Sequence, residues 1–274
     1  MLSRPESGLD STKHLTILLV RGFRILYNMV ARWICRNSWG SLFLNLPVEF
    51  EPYINAYRHN EIDEDSLWRS YSLLTGLSDP FVNSVKLRFQ PIFENLQHVS
   101  SLKDRQIYCY TDVQAEVESK NITETLLLLE FRYHATGRFE LENWRKLLLH
   151  EYNTLKDFGE RMFERILEGT EIHPSNLILF TGYLNAVERF TQHNTQVKVV
   201  LLDTYWKSPL DILRTIIWKH GLEKTSDETI EFYLRLQKKY ITYILQYQDI
   251  DKAHEAWTRT IHRRLKVQHN SPLL

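Results

Sequence analysis

The run Leu15 to Val20 has strand character, breaks at Arg21-Gly22, and passes into a helix-like run that ends near Arg36. In α/β enzymes such a strand-to-helix junction is where a catalytic or phosphate-binding group stands. Here it carries two arginines, Arg21 and Arg24. A guanidinium stays protonated and has no lone pair to lend, so it cannot ligate a metal or act as a general base. The junction is a working site, a site that has lost its chemistry, or a turn.

Other reactive constellations fall short. Nine glycines are spread singly, and neither GxGxxG nor GxxxxGK[ST] occurs. His150-Glu151 is followed by Thr154 where a zinc-protease helix needs its second imidazole. His59 and Glu61 copy the HxE of zinc deaminases without a PCxxC, and no GxSxG elbow is present. The eleven histidines show no two-ligand spacing on one element. Cys35 and Cys109 match no CxxC pattern and read as two small core residues in a reducing compartment. Between Lys252 and His269, Arg259, His262, Arg263, Arg264 and Lys266 stand beside Trp257, a basic cluster that reads as a solvated final helix. Tyr233, Tyr240, Tyr243 and Tyr247, with Phe232, Leu236 and Ile244, read as a packed helical cap rather than a stacking platform.

The elements that must position any site are easier to read. The chain of 274 residues is 43% hydrophobic and 25% charged, enough for one large core or two smaller ones. Lys+Arg and Asp+Glu both number 34, so no global field favours nucleic acid or anionic lipid. Leu15–Val20 is too short to span a membrane. The expectation is a soluble, cytoplasmic chain with a loose tail over 1–13 and one domain over 14–274.

Five segments have strand composition: 14–21, 41–46, 106–111, 176–181 and 196–202. Four are apolar nearly throughout, which suits strands covered on both faces and hence a mostly parallel sheet. Residues 22–36 place Ile25, Leu26, Met29, Val30, Trp33 and Ile34 on one helical face. Asp79-Pro80, Ser208-Pro209 and Thr225 with Glu228 mark further helix starts. Long helical insertions fill about 48–104 and 113–170, the second breaking at Gly137, and C-terminal helices fill about 208–267. The fold class is α/β, a mostly parallel sheet of five or more strands with a helical C-terminal cap.

FLNLPVEFEPYINAYRHNEIDEDSLW at 43–68 resembles the TraB/ChaN/Tiki superfamily, whose second strand ends in Glu-Leu-Pro before an acidic helix start. PIFENL (91–96), IYCYTD (107–112), FRYHATGRF (131–139) and NLILFTGYLNAVERF (176–190) follow in the order the resemblance leads one to expect. It implies a parallel sheet with a pocket at the strand ends. Active members carry Gly-x-x-His after the first strand, a glutamate near the end of the second, and Gly-x-x-His again in the second half. Those positions fall here on Arg21-Gly22-Phe23-Arg24 or, one residue later, Gly22-Phe23-Arg24-Ile25, on Asn45-Leu46-Pro47, and on Gly182-Tyr183-Leu184-Asn185. Imidazole and carboxylate are absent from all three.

A pocket with Arg24, Asn45 and Asn185 repels a divalent cation and accepts a carboxylate or phosphate. The resemblance therefore implies a non-catalytic member without cofactor or metal. It binds a small anion through Arg21, Arg24, Asn45, Arg132, Gly182 and Asn185, or a protein partner on its cap. The alternatives are a metal-dependent hydrolase whose chemistry has moved to Glu130, Arg132, His134 or His150, and an oligomeric scaffold.

Overall fold

The computed structural model describes residues 14–20, 24–180, 190, 196–202, 208–247, 250–257 and 259. Five strands, β1 (His14–Leu19), β2 (Ser41–Pro47), β3 (Gln106–Thr111), β4 (Ser175–Phe180) and β5 (Gln196–Leu201), pair in parallel in the order β3-β2-β4-β1-β5. Each expected strand is present, within two residues at either end. Among the helices are α1 (Arg24–Arg36), α2 (Glu51–Arg58), α3 (Glu64–Thr75), α4 (Asp79–His98), α5 (Val113–Thr136), α6 (Leu141–Thr170), α7 (Pro209–His220), α8 (Asp227–Ile244) and α9 (Ile250–Trp257).

The chain forms two compact units. The first comprises Met1–Glu116 and Glu160–Asp203, the second Val117–Gly159 and Thr204–Leu274.

In the first unit the strands are apolar on both faces because both are covered. Leu18, Leu42, Leu44, Leu46, Ile107, Cys109, Leu177 and Leu179 join Tyr27, Val30, Ile34, Phe89 and Phe93 of α1 and α4 in one core. The alternate residues Phe43 and Tyr108 stack at 5.1 Å on the opposite face. There Gly169 of α6 comes so close to Phe43 that a Cβ would lie 2.6 Å from its ring. The edge strand β5 differs, leaving Val199 38% and Leu201 54% exposed, since an edge is covered from fewer sides. At the other edge the Cys109 N–H donates to the Glu51 carboxylate at 3.0 Å, which blocks a bond that a foreign strand could use.

Several local expectations shift. The buried face of α1 carries Tyr27, Val30, Ala31 and Ile34, while Met29 is only partly covered. Cys35 is exposed, at the solvent side of that helix, and only Cys109 is a core residue. Helix α4 is preceded by Ser78, so Asp79 belongs to its first turn. Helix α8 is capped by Ser226 rather than Thr225, whose hydroxyl is engaged by the Gly221 carbonyl at 2.9 Å. Ser208 and Asp211 form the full reciprocal cap of α7, and Gly137, at φ 69, separates α5 from α6 as its freedom allows.

In the second unit Ile122, Leu129, Trp144, Leu147, Leu213, Ile230 and Leu234 form a separate core. No helix among the described residues is long and apolar enough to cross a membrane.

Candidate functional site

In an open parallel sheet, ligands bind outside the carboxyl ends of the strands. Strands β2, β4 and β1 are neighbours, and the Val20 N–H donates to the Phe180 carbonyl at 3.0 Å. The chain segments leaving these strands therefore start from one edge. Asn45 lies on β2 close to this edge and is partly exposed. Arg24 opens α1. Arg21, Gly182 and Asn185 lie outside the described residues.

The described part of the edge holds a polar cluster that motif reading missed. Thr111 ends β3, and Asp112 follows as the start of α5, accepting from the Ala115 N–H at 2.7 Å. Arg161 and Arg165, one turn apart on α6, both point at the same Asp112 oxygen, at 3.2 and 3.6 Å. Arg165 also donates to the Thr111 carbonyl at 2.8 Å.

One turn further along α5, the Tyr71 hydroxyl donates to Glu116 at 3.1 Å. Burial holds the Glu116 carboxyl above the usual carboxylate range, against the opposing pull of Tyr71, Arg88 and Thr111. Arg88 of α4 is near enough for its charge to act on Tyr27, Tyr71 and Glu116 together.

Two hydroxyls of this cluster stand out. Tyr27 Oη and Thr111 Oγ1 are buried, and neither makes a hydrogen bond of ordinary geometry, although Arg88 and Glu116 are close by. The signal in the sequence was the Thr-Asp pair directly after a strand, with Arg161 and Arg165 at helical spacing. Tyr27 carried no signal, and the apolar stripe read over 22–36 left it out.

The second unit disperses the other candidates. Glu130 and His134, four residues apart on α5, line one narrow cleft with Gln237 and Lys238. Burial pushes the Glu130 carboxyl up to about 7, opposed by a hydrogen bond from Gln237 and the charge of Arg214. Burial, followed by the charge of Lys238, lowers His134. Arg132 is more than half exposed and pairs with Glu140 at 3.8 Å. His150 pairs with Glu118 at 2.6 Å, whereas its sequence neighbour Glu151 is gripped by Arg214 at 2.7 and 3.0 Å. Glu130 and His134 share a cleft, and Arg132 and His150 are committed to partners elsewhere.

Among the described residues no group of three or more His, Cys, Asp and Glu is placed to hold a metal ion. No protein-family model, curated protein or solved structure matches this chain.

Proposed function

We propose that the chain is a non-catalytic binding protein, similar to the TraB/ChaN/Tiki superfamily, which takes a small carboxylate or phosphate ligand at the carboxyl edge of its sheet. The observation that carries this reading is the pair of buried hydroxyls of Tyr27 and Thr111, beside Arg88 and Glu116, neither of which makes a hydrogen bond of ordinary geometry within the chain. Leaving a buried hydroxyl unpaired costs about 1–3 kcal/mol. Two such costs at the edge where parallel sheets bind ligands are offset when an anion accepts both hydrogens. Arg161 and Arg165, clustered on Asp112, add positive potential to the same edge.

Calorimetric titration of the full chain with inorganic phosphate and with citrate tests the proposal. Saturable binding of at least one, weakened about ten-fold by Tyr27→Phe and by Thr111→Val, supports it. Binding that neither variant alters, or no binding of either anion, rejects it.

A second reading, a hydrolase, is favoured by one observation: Glu116 is a carboxyl raised by burial beside Tyr71 and Arg88. Turnover of model esters or peptides that is lost in Glu116→Gln would establish it in place of the first.

A further inference from the structure

The second unit contains an open groove of about 550 Å³. Tyr133 of α5, Arg235, Lys238, Lys239 and Tyr243 of α8, and Trp257 of α9 line it, with Thr242 and Gln246 at its rim. Its lining includes three cations and three aromatic rings, and no carboxylate. In a chain with equal numbers of acidic and basic residues, that is a local concentration of one sign.

The spacing is that of a ladder. Arg235, Lys239 and Tyr243 recur every fourth residue on α8 and so share a face. Arg235 is ion-paired with Glu231 one turn earlier, its Nε and Nη2 both donating to Oε1, at 3.1 and 2.5 Å, so a ligand phosphate shares it with that carboxylate. Lys239 is exposed and has no carboxylate partner among the described residues. Lys238 is fixed more firmly. Its ammonium donates to the Tyr133 carbonyl at 3.0 Å, in the last turn of α5, and lies 4.3 Å from the centre of the Tyr133 ring. Tyr243 packs against Tyr247 and Trp257 at ring distances of 5.1 and 5.9 Å, which sets the plane of its ring.

A bare inorganic anion fills a small part of such a volume, since grooves of about 300–1,000 Å³ accommodate ligands of drug size. The lining asks for a ligand with an anionic end and a flat, polarisable end. Phosphate groups satisfy Arg235 and Lys239, and an aromatic heterocycle satisfies the tyrosine rings.

We infer that the groove between α5, α8 and α9 of the second unit is a binding site for nucleoside phosphates, with Arg235 and Lys239 on the phosphates and Tyr243 against the base. The site is independent of the anion site at the sheet edge, because every residue lining it belongs to the second unit.

Calorimetry on the full chain with ATP, AMP, adenosine and inorganic phosphate tests it. ATP is expected to bind saturably, with adenosine and phosphate each about ten-fold weaker or more. Lys239→Glu and Arg235→Glu each weaken ATP about ten-fold, and Tyr243→Ala about five-fold. Raising the salt from about 50 to about 300 mM weakens it further. Quenching of tryptophan emission by ATP, reduced in Trp257→Phe, places the ligand in the groove.

Tyr27→Phe leaves the affinity for ATP unchanged while weakening inorganic phosphate held at the sheet edge, so a failure at the sheet edge remains distinguishable from a failure here. Absence of ATP binding overturns the inference, as do affinities untouched by the three α8 variants. Competition by poly-glutamate as effective as by ATP also overturns it, because the groove then reads charge alone.

Discussion

The carboxyl edge of the sheet in the first unit and the groove in the second collect similar groups, arginines and tyrosines, and put them to opposite uses. At the edge, Tyr27 and Tyr71 are fully buried, and the arginines are tied to Asp112 and the Thr111 carbonyl. In the groove the cations stand along one helix, and Lys239 meets solvent. The same residue types become architecture when burial forces them to be satisfied, and remain available for a ligand when it does not. At the edge the two unsatisfied hydroxyls are therefore the exception that matters.

That contrast can be broken most sharply at Arg58, a buried cation of the first unit with a structural task. Its guanidinium donates to the carbonyls of Leu102, Lys103 and Arg105 at 2.9, 2.6 and 2.8 Å, fixing the turn before β3. Arg58→Met strands these acceptors, and chemical denaturation should show a loss of about 3 kcal/mol. A loss near zero would mean that buried cations in this unit are dispensable.

Glu130 is the counterpart in the second unit, a buried carboxyl whose value rises from 4.5 to about 7. A folded-state value above the unfolded one favours folding fully below the unfolded value and loses that contribution as pH climbs through the folded value. The wild type should therefore lose stability between about pH 4.5 and pH 7, by about 2 kcal/mol after solvent screening is discounted. Glu130→Gln, followed by denaturation at several pH values, should remove that slope and be the more stable form at pH 8.

Gly169→Ala brings a methyl against the Phe43 ring, where Cβ would sit 2.6 and 2.8 Å from ring carbons. Overpacking of this kind costs about 1–2 kcal/mol, readable as a lower melting temperature. Ser208→Ala removes the α7 cap, including the bond from the Asp211 N–H at 3.2 Å, for about 1 kcal/mol. A loss near zero in Gly169→Ala would indicate that packing in the first unit is more forgiving than the geometry implies.

The sheet could be read from the sequence because its strands are apolar runs with polar or Gly/Pro ends, a signal that is local and redundant. The break at Gly137 and the cap at Ser208 were readable for the same reason. Arg58 was not, since its acceptors lie 44 to 47 positions away and nothing near it in sequence distinguishes it from a surface arginine. Periodicity showed that α1 has an apolar stripe but not where the stripe is centred, so the fully buried Tyr27 was passed over while the partly covered Met29 was included. Leu127, Leu128 and Phe131 are exposed although they lie in the most apolar stretch of the helix, while Leu129 is buried.

Of the six residues assigned to the pocket, Asn45 lies on the strand next to the edge, Arg24 opens α1, and Arg132 lies in the other unit. Arg21, Gly182 and Asn185 fall outside the described residues. The cluster around Glu116 assembles from five separate segments, and such convergence leaves no trace in linear spacing.

The melting temperature of the Tyr27→Phe/Thr111→Val double variant, measured with and without inorganic phosphate, bears most directly on the claim that the sheet edge binds an anion. The ligand-free variant should melt no lower than the wild type, because two buried hydroxyls without a hydrogen bond of ordinary geometry are gone. Phosphate at about ten times its dissociation constant should raise the wild type by a few degrees, for about 1.4 kcal/mol of linkage, and leave the variant unmoved. An equal phosphate-induced rise in both proteins would contradict the account.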